Sequence, residues 1–243
     1  MSHQSKAKAK CFLALVASLL SHSAGATEGG GSVYPYGLNT VAIGVLPKPG
    51  LYLYNYNSYY DADVTRNNAG GCALPKFHAR ITANSLRLLY SFESIRLLNG
   101  NFAWAFAQPY VNGHIETPFA SGKKGALSDI TTGPMIGWHS PTWHSIAGLD
   151  FTLPTGEYDK KNVFNPGRNQ YAVTPYYNFT WVVANNVDVN MRANLTFNGK
   201  NDETNYRSGT ELGADYAINY NFTSGWFVAL SDRLSDFLSQ YFL

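Results

Sequence analysis

The chain has 243 residues, about one to two domains' worth of sequence, and only 14% of them are charged, against roughly 25% in a soluble globular domain. Aromatics reach 15%, led by 17 Tyr and 14 Phe, a balance suited to sheets with one wet and one greasy face, whether in a membrane barrel or a secreted β-sandwich. Its 18 basic and 16 acidic residues leave a formal charge of +2, and the basic residues are dispersed, which argues against a nucleic-acid partner.

Residues 1–26 have the three parts of a secretory signal. Lys6, Lys8 and Lys10 form a basic start, residues 11–20 (CFLALVASLL) an apolar core, and Ala24-Gly25-Ala26 a cleavage site. Ten apolar residues are too few to span about 30 Å of hydrocarbon as a helix. Cleavage removes three of the 18 basic residues, leaving 15 against 16 acidic ones. It also leaves Cys72 as the lone cysteine, so a disulfide-stapled fold, a thiol enzyme and a zinc site find no support. A mature chain beginning at Thr27 is the expectation.

Residues 27–49 form a Gly/Pro-rich N-terminal segment with no long regular element, in which TVAIGVL (40–46) could pack at a barrel mouth. Gly29-Gly30-Gly31 follows a cleavage site, not a strand, and lacks the Gly-Lys-Ser/Thr of a phosphate loop.

Residues 50–243 are expected to form the β-barrel domain. Strands are predicted at 51–60, 77–92 with a bulge near Leu86, 102–107, 130–138, 143–153, 171–183, 187–197 and 210–222. In 187–197 the odd positions are apolar, from Val187 to Phe197, and the even ones polar. In 210–222 Leu212, Ala214, Tyr216, Ile218, Tyr220 and Phe222 share one face. The period of two excludes a helix, and thirteen-residue strands exceed the usual five or six, as tilted membrane crossings must. Asp188, Asn190, Arg192, Asn194, Glu211 and Asp215 are therefore the lumen-facing candidates, with Leu195 and Tyr216 toward lipid. Pro175 is a local objection within its strand. Asn185-Asn186 reads as a tight turn, and 61–75, 154–170 and 198–209 as longer loops. The C-terminus does not alternate; Leu234, Phe237, Leu238 and Tyr241 imitate a short helix face, so the barrel is expected to be incomplete there.

Five stretches carry a family resemblance: TEGGGSVYPYG at 27–37, LPKPGLYLYNYNSYYDAD at 46–63, LPTGEYD at 153–159, NPGRNQY at 165–171 and SGTELGADYAINY at 208–220. In combination they resemble the outer-membrane proteins of the "meta-pathway of phenol degradation" family. That resemblance implies an antiparallel transmembrane β-barrel in the outer membrane and passive transport of small hydrophobic or aromatic compounds. The alternative is a structural or assembly-related barrel without transport. The expected partners are outer-membrane lipid, a small hydrophobic or aromatic solute, and the export and barrel-assembly machinery. The resemblance supplies no catalytic residues and no cofactor.

Chemistry elsewhere is weakly signalled. His139, His144, Ser145 and Asp150 invite a hydrolase reading, but Ser145 lies on the opposite strand face from His144 and Asp150. Two histidines without a third ligand do not make a metal site. Neither an enzyme nor a metal centre is expected. Tyr52, Tyr54 and Tyr56 share a face that suits an interfacial girdle, or less readily a stacking surface for aromatic cargo.

Overall fold

The alternation in the sequence becomes one antiparallel sheet, as a computed structural model of the chain shows. The structure describes residues 28, 31–35, 37, 40–65 and 71–237, without the side chains of 235–237. The signal at 1–26 lies outside the described residues. The strands, in chain order, are β1 (Gly50–Ala62), β2 (His78–Leu97), β3 (Gly100–Glu116), β4 (Ser121–Leu127), β5 (Ile130–His139), β6 (Trp143–Leu153), β7 (Ala172–Ala184), β8 (Val187–Asn198), the short β9 (Lys200–Asn201) and β10 (Tyr206–Arg207), β11 (Glu211–Asn221) and β12 (Phe227–Phe237).

Neighbours in sequence are neighbours in space. The order is β1-β2-β3-β5-β6-β7-β8-β11-β12, with β4 also on β3 and β9–β10 a separate hairpin. The sheet curls into an open half-barrel, the architecture of an incomplete transmembrane β-barrel. Antiparallel pairing satisfies backbone groups strand to strand, a condition for any sheet in hydrocarbon. Among the described residues no helix is long and apolar enough to cross a membrane.

The two ends of the sheet differ. Leu98-Asn99, Ser140–Thr142, Asn185-Asn186 and 222–226 make short turns at one end, and 63–77, 154–171 and 199–210 make long connections at the other. Leu98 and Asn99 both have left-handed φ values, 49° and 62°, as a tight hairpin turn requires.

The convex face exposes Tyr177, Trp181, Tyr216, Ile218 and Tyr220. Near the short-turn end Trp143 stacks on Phe179, with ring centroids 4.8 Å apart, and Tyr220 meets Phe222 edge-on at 4.9 Å. These rings form the aromatic band expected at a membrane interface. Tyr52, Tyr54 and Tyr56 are not part of it. They point to the concave side, where Tyr52 and Tyr54 pack against a core of Leu46, Leu89, Ala103, Ala105, Met135, Ile146 and Tyr176.

Three expectations change. The register of β2 runs unbroken through Leu86, and its irregularity falls between Ser91 and Arg96. Strand β4 has no counterpart among the predicted strands: it lies end to end with β5 along β3, with a one-residue offset at Ser128–Asp129. The C-terminal segment is strand, not helix, as far as Phe237, because β11 offers it a partner edge from Glu211 to Asn221.

Candidate functional site

The concave face is occupied by the chain's own N-terminal segment. At the long-connection end Glu28 accepts a hydrogen bond from Asn201 Nδ2 at 2.9 Å. At mid-height the Tyr34 hydroxyl donates to Asp215 at 2.8 Å, and the Gly37 amide to the same carboxylate at 3.0 Å. At the short-turn end Asn219 Nδ2 donates to the Thr40 carbonyl, Asn178 Nδ2 to the Ile43 carbonyl, and the Gly44 amide to Thr180 Oγ1. The segment then crosses that end: Leu46 joins the core, and Ser91 Oγ donates to the Pro47 carbonyl before the chain enters β1. It is a strap down the inside and across the bottom. At Gly44 it presses onto β6 and β7 so closely that a Cβ would collide with Thr180 N and with the His144 oxygen.

The polar row of β8 and β11 holds this strap. Asn190 is fully buried and accepts from Thr180 Oγ1 and from the Ile43 amide. Asp188 accepts from Asn190, Asn219 and Asn221. Glu211 is buried and accepts from Asn198 Nδ2 at 2.8 Å. Asn194 is buried on the same row. Arg192, 3% exposed, donates to Asp150 at 3.1 Å. Its guanidinium lies 4.4 Å from the Tyr34 ring centroid and 4.0 Å from that of Tyr176, so strap and sheet sandwich the cation. The six lumen candidates thus share the concave face, and all but Asp188 are buried there, where the alternation suggested open water.

Above the strap lies a cavity of about 660 Å³, within the range of small-molecule sites. Ile81, Ala83, Ala105, Ala107, Val111 and Phe164 supply apolar wall, and Tyr56 and Arg87 stand among them. The connection 154–171 folds inward to close one side. Its two motifs, LPTGEYD and NPGRNQY, meet back to back, with Gly167 N donating to the Glu157 carbonyl at 3.0 Å. A Cβ on Gly156 would lie 2.8 Å from Gly167 Cα, so neither glycine tolerates a side chain there. Asp129 staples the pair, accepting from Gly156 N at 2.9 Å and Arg168 N at 2.7 Å. Lys124 adds an ion pair to Glu157.

Burial pushes the Asp129 carboxyl above its ordinary pKa, against the pull of the Arg168 and Gly156 amides. The fold therefore binds this proton more tightly than the unfolded chain. The carboxyl's contribution to stability is greatest below its unfolded pKa and declines as pH rises through the raised folded value. Asp129→Ala should leave two amides unpaired, at about 1–3 kcal/mol each where water cannot reach them. Limited proteolysis across 154–171 should be markedly faster in that variant, and Asp129→Asn should lack the wild-type pH dependence.

The residues of the hydrolase reading do not assemble into a triad. His144 faces His139, Nδ1 to Nδ1 at 3.1 Å, at the short-turn end, while Asp150 holds Arg192. Asp61, Asp63 and His78 cluster on the surface, where Asp61 is already bound by Tyr59 and Arg80. Sequence reasoning missed Tyr34, Arg87, Asp129, Phe164 and Arg168. The glycines of the paired motifs were the available signal for the folded-in connection.

A family profile described as "Putative MetA-pathway of phenol degradation" matches residues 62–238. The fold is similar to the crystal structure of an outer membrane channel from Pseudomonas putida F1, with a TM-score of 0.69 and 18% identity, over 84% of this chain and 76% of that one. No curated protein matches the chain.

Proposed function

Because the chain belongs to the family described as "Putative MetA-pathway of phenol degradation", we propose that it is an outer-membrane barrel protein that passes small hydrophobic or aromatic compounds without consuming energy. The observation that carries this reading is the apolar-walled cavity of about 660 Å³ on the concave side of a sheet whose convex side is apolar. The likeness to an outer membrane channel supports the same location. Compounds enter from the long-connection end, between the folded-in loop and β1–β3. The strap across the short-turn end is the constriction. Tyr56 and Ser58 of the edge strand β1 line the cavity, which favours a sideways exit along that edge.

The strap also favours a second reading, a structural barrel that passes nothing, since its hydrogen bonds fill one end of the interior. Uptake of a labelled monoaromatic compound into vesicles carrying the folded, inserted protein separates the two. Faster uptake than in protein-free vesicles and in vesicles with an unrelated small barrel is the expected result. Uptake equal to those controls would reject the conduit and leave the structural barrel.

A further inference from the structure

Charges of both signs line the cavity, and its cations are unequally provided for: Arg168 has Glu211 beside it as well as Asp129 and Glu28. Arg87, Lys160, Arg168 and Arg192 face the cavity, against Glu28, Asp129 and Asp150. The acids are engaged: Glu28 holds Asn201, Asp129 holds the two loop amides, and Asp150 holds Arg192. Arg87 hydrogen-bonds the Tyr56 hydroxyl and lies against that of Tyr176, near Asp150, but among the described residues it makes no ion pair. Arg192 has Asp150 and, opposite it in the sheet register, Asp215, whereas Arg87 has no carboxylate of its own among the described residues. Arg192 is not satisfied by Asp150 either, since its Nε is buried without a hydrogen-bond partner.

A cation partly withdrawn from water is costly unless it is paired. Solvent alone could supply acceptors in a wet lumen. Here, however, the cations stand beside Ile81, Ala83, Ala105 and Val111, a wall that prefers an apolar body. We infer that the cavity is a binding site for small organic anions with an apolar or aromatic body, with Arg87 as the cation that meets the charged group. The ring lies against the β2–β3 wall and Phe164. The anionic group points to the floor, where Arg87 offers a planar fork of donors suited to carboxylates and sulfonates. The inference rests on the conduit reading for its route, but not for its binding.

The probe is benzenesulfonate, which is ionised at every working pH and crosses lipid poorly without a carrier. Phenyltrimethylammonium serves as the cation of similar size and benzyl alcohol as the neutral one. Titration calorimetry on the folded full chain reads binding, and vesicle uptake reads passage. The sulfonate should bind at least tenfold more tightly than the ammonium compound. Arg87→Gln should weaken that binding about tenfold, while Arg87→Lys retains most of it. A chain that binds the sulfonate but passes none of the three keeps the anion site and loses the conduit. A chain that passes benzyl alcohol yet binds sulfonate and ammonium alike keeps the conduit and overturns the anion site. Unchanged sulfonate binding in Arg87→Gln also overturns it.

Discussion

Arginine introduced at Ala193 is expected to destabilise the folded protein by about 2–4 kcal/mol, the cost of a cation on the lipid face near the bilayer midplane. Ala193 lies near the middle of β8 on the convex side, opposite Tyr177 of β7 and Ala214 of β11. Its sequence neighbours Arg192 and Asn194 are buried on the other side. The introduced guanidinium cannot reach them through the sheet, and mid-height is too far from either interface for easy snorkelling. The control is Ser58→Arg, on the cavity side of an edge strand, where the added charge meets water and little change is expected. Denaturant unfolding of vesicle-inserted protein measures both. A cost below about 1 kcal/mol for Ala193→Arg would mean that the convex face does not meet hydrocarbon.

The alternation that places Ala193 outside was plain in the sequence because β6, β7, β8 and β11 each have one wet and one greasy row. Two features defeated the same reasoning. Strand β12 puts Val228, Leu230 and Leu234 on one face, but Asp232 interrupts the row. Asp232 is tolerated there because the Tyr216 hydroxyl of the adjoining strand reaches it at 3.3 Å. That is a cross-strand fact with no trace in local periodicity, and the spacing of Leu234 and Phe237 imitated a helix instead. Strand β4, SGKKGAL, is polar and glycine-rich, and exists because β3 continues past Tyr110 and offers it an edge. Pairing, not propensity, decides both.

The site was legible only in part. The row from Asp188 to Asp215 was visible as polar, and polarity on the inside of a barrel suggests water. What the sequence could not show is that Asn178, Asn190 and Asn219 bind backbone groups of residues 40–43. An amide side chain offers both a donor and an acceptor, so it can grip a peptide with no strand of its own. The strap has no period, and apart from the apolar TVAIGVL, expected at a barrel mouth, it gave no sign of its path. Its glycines and prolines spoke only of irregular backbone, and the reason for Gly44 appears once β6 and β7 lie against it.

Removing the latch at mid-height should release this strap. Asp215 is 1% exposed and accepts from both the Tyr34 hydroxyl and the Gly37 amide. Hydrogen bonds to a charged partner contribute about 1.5–3 kcal/mol each. Asp215→Ala loses both, and it also removes the carboxylate opposite Arg192 and Arg233 in the sheet register, so the side that held the strap becomes more positive. The ring of Tyr34 keeps its contact with Arg192, which limits the release. If about one bond's worth of free energy is lost net, the population with the strap detached rises roughly tenfold to a hundredfold, at about 1.4 kcal/mol per factor of ten. A cysteine at Val33, on the cavity side of the strap, reports the change in a Cys72→Ser background through its rate of labelling by a water-soluble reagent. Asp215→Asn keeps one acceptor and should fall between wild type and alanine. Solute uptake should rise in the same order if the strap is the constriction. Faster labelling with unchanged uptake would place the constriction elsewhere, and unchanged labelling in Asp215→Ala would show that Asn178, Asn190 and Asn219 hold the strap without it.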